Sequence, residues 1–279
     1  MRNVMKLYKY QGAGNDFLIA DNRDGAIVLT AQQVAKLCDR RYGIGADGLM
    51  LLESSEGYDF RMVYYNSDGS GGMMCGNGGR CIVAFAADRG LKHFDFDAAD
   101  GFHTAQILED RSGVKIVRLK MKDVNGYERY ESLTGANAQS DGYFLDTGTR
   151  HYVRFVSGLE EYDIVTDGRD IRYNAEELQP VGANVNFVEP YDGGVKVRTY
   201  EKGVEDETFA CGTGIVASCL ASYVHGLKPT AICQDGRVRY DVMAKRDSLS
   251  VDFIPDQLAK DVWLTGPATY VAQIIVDVD

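Results

Sequence analysis

The sequence predicts an α+β protein of two pseudo-symmetric lobes, each of mixed strands gathered around a helix that opens at a Cys-Gly motif. Three observations carry this. The stretch "NSDGSGGMMCGNGGRC" (66–81) and the stretch "ETFACGTGIVASC" (207–219) each place a cysteine, Cys75 and Cys211, directly before Gly-x-Gly and an apolar run. The surroundings of the two cysteines recur in order. Gly90 and Gly226 each lie fifteen residues downstream, Asn66 and Glu201 stand nine and ten upstream, and Asn15 and Thr149 sixty and sixty-two upstream. Three landmarks at nearly equal spacing mark an internal duplication, with halves near 12–90 and 146–226. The segments between the landmarks have strand texture.

Taken in order, "TAQQVAKLCDRRYG" (30–43) reads as a helix with Thr30 as N-cap and Gly43 as stop. The apolar runs after Cys75 and Cys211 read as helices of about three to four turns, stopped at Gly90 and Gly226. Strands are expected at 114–122, 193–202, 237–244, 249–254 and 268–278, where β-branched residues alternate or run together. The polar, Gly-containing segment 123–142 is the expected boundary between the lobes.

Composition narrows the function. The chain has 279 residues, 45% hydrophobic and 25% charged, as in a globular protein of one large or two ordinary domains. No apolar run approaches the length of about 18 residues that a membrane span needs. The opening "MRNVMKLYKYQGAGND" has no apolar signal-peptide core, so the expected location is the cytoplasm. A net charge of −11 argues against a nucleic-acid partner. Six cysteines without a C-x-x-C pair, and four histidines without H-x-x-x-H spacing, argue for thiols and against a metal site. Cys38, Cys81, Cys219 and Cys233 read as small buried hydrophobes.

The paired motifs point to a specific chemistry. A helix N-terminus offers unpaired N–H groups and the positive end of the helix dipole, and glycines admit a ligand to that backbone. Such a site binds a carboxylate, and a cysteine there is more readily a thiolate. Two such ends can share one carboxylate and set a sulfur on each face of the neighbouring carbon. That suits removal of an α-proton from one face and its replacement on the other, with one sulfur as S⁻ and one as SH. The helix amides would stabilise charge developing on the carboxylate.

The motifs "GAGNDFLIADN", "NSDGSGGMMCGNGGRC", "GANVNFVE", "YEKGVEDETFACGTG" and "WLTGPATYV" resemble diaminopimelate epimerase, in register from about residue 6 to the C-terminus. The resemblance implies a fold in which the last strand returns to the first lobe. The lobes are then 1–125 with 268–279, carrying Cys75, and 126–267, carrying Cys211, with the active site in the cleft between them. It implies PLP-independent interconversion of LL- and meso-diaminopimelate, in lysine and peptidoglycan synthesis, with no cofactor. By position, Cys75 and Cys211 are proton donor and acceptor. Gly76, Asn77, Gly212 and Thr213 hold the reacting carboxylate. Asn15, Asn66, Asn184, Glu201 and Lys202 bind substrate, and His151 and Glu201 tune a thiol. The expected partner is a small amino-acid substrate, and a homodimer is a compatible assembly.

Four features depart from the family pattern. Gly48 stands where glutamine is frequent, Thr149-Arg150-His151 where Asn-Pro-His is usual, and Lys202 where arginine is usual, while "KGVEDET" is one residue longer than the commonest form. Lysine does not replace the bidentate fork of arginine, so these departures bear on substrate identity. The alternative is a racemase or epimerase for another amino acid using the same cysteine pair. A cysteine hydrolase with Cys211 as nucleophile and His151 as base leaves the second motif unexplained. A non-catalytic anion-binding protein leaves both thiols incidental.

Overall fold

The computed structural model describes residues 4–72, 74–136 and 141–277. Part of the segment 123–142, residues 137–140, lies outside them. The elements are β1 (Val4–Gly12), β2 (Asn15–Asp21), α1 (Ala31–Cys38), β3 (Gly48–Glu53), β4 (Phe60–Asn66), α2 (Gly76–Asp88), β5 (Asp95–Ala98), β6 (Gly101–Arg111) and β7 (Val114–Lys120). There follow β8 (Glu128–Tyr130), β9 (Gly142–Asp146), β10 (Arg150–Phe155), α3 (Ile164–Asn174), β11 (Asn184–Tyr191), β12 (Gly194–Glu201) and β13 (Asp206–Thr208). The chain ends with α4 (Gly212–Val224), β14 (Ala231–Ile232), β15 (Val238–Met243), β16 (Ser248–Pro255) and β17 (Ala259–Asp277). No described helix is long and apolar enough to cross a membrane.

Two compact units emerge, one ending at Leu119 and resuming at Gly266, the other spanning Lys120–Thr265. In the first unit the strands close a circuit: β17–β1–β2–β3–β4–β5–β6–β7 and back to β17. The pairs β2–β3 and β4–β5 are parallel and the rest antiparallel. In the second unit β9–β10–β11–β12–β15–β16–β17 repeats the order anti, parallel, anti, parallel, anti, anti. A parallel pair needs a crossover, and a helix supplies it in each case. Helix α1 joins β2 to β3 and α2 joins β4 to β5; α3 joins β10 to β11 and α4 lies between β12 and β15. The duplication seen in the cysteine motifs therefore extends to the topology of both units.

Helices α2 and α4 are the cores of their units. Residues 76–86 of α2 are all buried, as are Gly212 and 214–222 of α4. A helix apolar on every side is one surrounded by protein. Both end alike. Gly90 (φ +93°) and Gly226 (φ +89°) take the left-handed conformation. The following Leu91 and Leu227 amides donate back to Ala86 O and Ser222 O, at 3.1 and 3.0 Å. This is the Schellman closure, and it meets the expectation for both glycines.

Three elements differ from the sequence expectation. Helix α1 starts at its expected Thr30 cap, with Gln33 completing a capping box, but ends at Cys38. Asp39 stops it: its carboxylate accepts from the Arg41 and Tyr42 amides at 2.7 and 2.6 Å, which competes with helix continuation. Strand β17 begins at Ala259 rather than 268. It runs through Gly266-Pro267 because partners change there: Thr265 pairs with Ser250 of β16 and Gly266 with Val117 of β7. Helix α3 was not expected, since Gly168 interrupts its apolar spacing. A Cβ at 168 would lie 2.4 Å from Tyr200 Cβ, so the glycine is what lets α3 approach β12.

Candidate active site

Both cysteines sit at helix N-cap positions with nearly the same backbone. Cys75 has φ −108° and ψ 124°; Cys211 has φ −104° and ψ 112°. Neither side chain caps its own helix, and neither first turn carries an acidic residue. The first helical bonds run from Gly79 N to Cys75 O (2.7 Å) and from Ile215 N to Cys211 O (2.8 Å). The amides of Gly76, Asn77 and Gly78, and of Gly212, Thr213 and Gly214, thus precede the intrahelical ladder and form the positive helix ends. These are the positions from which Gly76, Asn77, Gly212 and Thr213 were expected to hold a carboxylate.

In the first unit Asn15, Cys75 and Asn77 come together. Asn15 Nδ2 donates to Asp47 Oδ2 at 2.6 Å, which fixes the amide and turns Oδ1 toward Cys75 Sγ (3.6 Å) and Asn77 Nδ2 (3.5 Å). Asp47 is itself paired with Arg40, at 2.7 Å. Behind Asn77 lies a residue that sequence reasoning missed. Arg80 is fully buried and donates to Asn77 Oδ1 (2.9 Å), Gly76 O (3.3 Å) and Pro267 O (3.4 Å). Its signal was an arginine inside an otherwise apolar helix, absent from the second motif. Asn66 ends β4 and gives its amide to Ser70 Oγ at 2.9 Å, within its own turn.

In the second unit Cys211 Sγ lies 3.4 Å from Thr213 Oγ1. That hydroxyl is 2.9 Å from His151 Nε2 and 3.0 Å from Thr149 Oγ1, and Thr149 Oγ1 is itself 2.9 Å from His151 Nε2. Burial drives the His151 pKa down to about 3, against an opposing push from Asp146, so the imidazole is neutral. Asn184 spans Arg150 O (3.0 Å) and the Lys202 amide (2.8 Å), anchoring the turn that carries the exposed Lys202. Glu201 accepts from Thr208 Oγ1 at 2.7 Å. Asn186 and Thr199, which the sequence reading also missed, complete the buried polar cluster around His151.

Strand registers make the correspondence between units residue by residue. Phe17 pairs with Gly48 and His151 with Asn184; Met50 faces Tyr64 and Asn186 faces Thr199. Leu49 faces Tyr65 and Val185 faces Tyr200, one step from Gly48 with Asn66 and from Asn184 with Glu201. Gly48 has a local cause. A Cβ there would lie 2.6 Å from Tyr64 Cε2 and 2.7 Å from Tyr65 O, so the Tyr64 ring occupies the space of a side chain at 48.

Burial raises the thiol pKa of Cys81 and Cys219, and pushes Cys38 up to about 11, as for inert core thiols. Cys233 departs from the buried expectation and is exposed.

Comparison with known proteins agrees with the motifs. Residues 7–124 match the diaminopimelate epimerase family model. The chain is 41% identical to the diaminopimelate epimerase of Flavobacterium psychrophilum, over 98% of this chain and 100% of that one. It is 43% identical to that of Chlorobaculum tepidum, over 92% and 95%. Among solved structures, a PhzF-family phenazine biosynthesis protein of Bacillus anthracis superposes with TM-score 0.72 at 15% identity, over 98% and 99% of the two chains. A hydroxyproline epimerase of Agrobacterium vitis superposes with TM-score 0.67 at 16% identity, over 99% and 94%. The structural likenesses establish the fold, and the sequence relatives establish that this chain belongs to the diaminopimelate epimerase family.

Proposed function

We propose that the protein interconverts LL- and meso-diaminopimelate without PLP, serving lysine and peptidoglycan synthesis, with Cys75 and Cys211 as the two bases. In this reading the helix N-terminal amides take the substrate α-carboxylate and each sulfur serves one face of the α-carbon. The thiolate takes the α-proton from one face, and the opposite thiol delivers its own proton to the other. Each turnover therefore exchanges the roles of the two sulfurs, and their titrations are coupled. The helix amides hold the carboxylate and stabilise the charge that develops on it. Asn15 and Asn77 are the polar side chains grouped with Cys75, and Thr213 the one beside Cys211.

The observation that carries this reading is the pair of N-cap cysteines with matching backbone at equivalent points of a duplicated topology. A lone catalytic thiol would need only one of them. The test is turnover of LL-diaminopimelate by purified, reduced protein without added PLP, with the stereoisomers resolved over time. Approach to a mixture of LL and meso forms supports the reading. No conversion of diaminopimelate, with inversion of a monocarboxylic amino acid instead, replaces it with the other-racemase reading.

A further inference from the structure

The polar cluster behind Cys211 fixes the direction of its hydrogen bonds. Asn186 is fully buried, and its side chain faces three groups: Tyr152 O at 3.2 Å, His151 Nδ1 at 3.1 Å and Thr199 Oγ1 at 2.9 Å. A backbone carbonyl only accepts, so the amide atom facing Tyr152 O is Nδ2. Its second proton is then aimed at His151 Nδ1, while Oδ1 accepts from Thr199. Nδ1 must be the acceptor, and the ring proton therefore sits on Nε2.

We propose that Asn186 is a positioning residue for the chemistry at Cys211: it locks His151 as a neutral donor through Nε2, and the Thr149–Thr213 hydroxyl pair passes that bond on to Cys211 Sγ. The inference deepens the two-cysteine reading and rests on it. Proton counting supports it. Around the triangle of His151 Nε2, Thr149 Oγ1 and Thr213 Oγ1 there are three protons, one on each atom. The Nε2 proton is directed at the hydroxyl oxygens, and Thr149 can donate to Thr213. The Thr213 proton is then free of the triangle, and Cys211 Sγ lies 3.4 Å away. A donor aimed at sulfur favours its thiolate. His151 thus supports Cys211 by donation rather than by taking its proton. Asp146 is the charged group whose field reaches the ring, and it favours protonation; burial outweighs it.

The lock is specific to this unit. The register equivalents of His151, Asn186 and Thr199 are Phe17, Met50 and Tyr64, and the Phe17 and Tyr64 rings pack edge-on at 6.1 Å.

The direct test is nitrogen-15 NMR of the ring in substrate-free, reduced enzyme, with His151 assigned by its loss in His151→Gln. The expected result is a neutral ring protonated at Nε2 from about pH 6 to about pH 8, the range in which an ordinary histidine titrates. A proton on Nδ1, or an imidazolium in that range, overturns the proposal. The second arm is Asn186→Leu, which removes the donor to Nδ1. Loss of a hydrogen bond to a charged sulfur predicts a fall in kcat of about tenfold to a hundredfold, with KM moving less than about threefold. Unchanged kcat in folded Asn186→Leu overturns the proposal, because a purely structural residue lowers Tm and spares turnover. If Asn186→Leu does not fold, Thr199→Val releases the amide more gently, and the expected fall is smaller but in the same direction. The ring signals are read without substrate. Failure of wild-type turnover would sink the two-cysteine reading while leaving the tautomer result standing or falling by itself.

Discussion

The two cysteines share a backbone and differ in their company. Cys75 Sγ faces the fixed acceptor Asn15 Oδ1, with the buried cation Arg80 behind Asn77. Cys211 Sγ faces the hydroxyl of Thr213, with a buried neutral histidine behind it. Equivalent positions change accordingly: Asn15 becomes Thr149, Asn77 becomes Thr213, and the trio Phe17, Met50 and Tyr64 becomes His151, Asn186 and Thr199. Duplication preserved the helix end, the element proposed to cradle a carboxylate. It let the surroundings of each sulfur diverge, as a reaction needing one thiolate and one thiol allows.

The sharpest break of this comparison is removal of either sulfur. Cys75→Ala and Cys211→Ala should each lower kcat by about four decades, the upper range for one proton-transfer group, with Tm little changed. Retention of most turnover by one variant would show that the units are not functionally paired.

Next in size is the distal end of the substrate. Lys202 is exposed and its turn is tied down by Asn184. If it meets the distal carboxylate, Lys202→Ala removes a charged hydrogen bond, and kcat/KM for diaminopimelate falls about one to two decades. Lys202→Arg should be tolerated. An equal loss with a monocarboxylic amino acid would remove Lys202 from substrate recognition.

The cation behind Asn77 is tested by giving Arg80 the residue found at the same point of the second helix, Val216. Arg80→Val strands Asn77 Oδ1 and Pro267 O in the interior, and denaturant unfolding should show a loss of about 3 kcal/mol. Gly48→Gln probes the same unit from the other side. The Tyr64 ring fills that space, so overpacking predicts a loss of about 1–3 kcal/mol. Gly48→Gln with Tyr64→Ala should recover part of it.

The smallest effect separates the units by pH. The folded pKa of His151, about 3, lies below the ordinary 6.5, so the unfolded chain binds the extra proton in that window. Its contribution to stability is complete above about pH 6.5 and is lost as pH falls toward 3. Asp16, Glu205 and Asp261, held near 2 beside cationic partners, lose theirs only below the unfolded carboxylate range. His151→Gln should therefore flatten the stability curve from about pH 6.5 down to about pH 3, most plainly above about pH 4.5 where the carboxylates do not yet titrate, and leave the limb below about pH 3 unchanged. A curve with the same slope as wild type in that window would mean that His151 is not buried neutral.

Much of this was legible in the sequence because the duplication is. Cysteine, Gly-x-Gly and a terminal glycine encode a helix start, a close backbone approach and a left-handed stop, all local requirements. The pairing of Asn15 with Thr149 and of Asn66 with Glu201 could be read from spacing because strand length and crossover length were kept. What escaped was tertiary in origin. Helix α3 carries Gly168 for the sake of Tyr200, a contact across elements. Applying the repeat to α1 would have required a helix there, since β10 and β11 are parallel and need a crossover. Asn186 and Thr199 look like ordinary polar positions of alternating strands until the register turns them inward together. Arg80 stands out in the sequence as an arginine in an apolar run, but its partners Asn77 and Pro267 become visible only in the fold.

In the proposed mechanism each sulfur serves one face of the α-carbon. The most direct measurement starts wild-type enzyme on LL-diaminopimelate in deuterium oxide and analyses substrate and product at low conversion. Two bases predict product carrying solvent deuterium at the inverted carbon while the remaining substrate keeps its original proton. Product that retains the substrate's own proton would mean that a single group carries it from face to face, and would contradict the account.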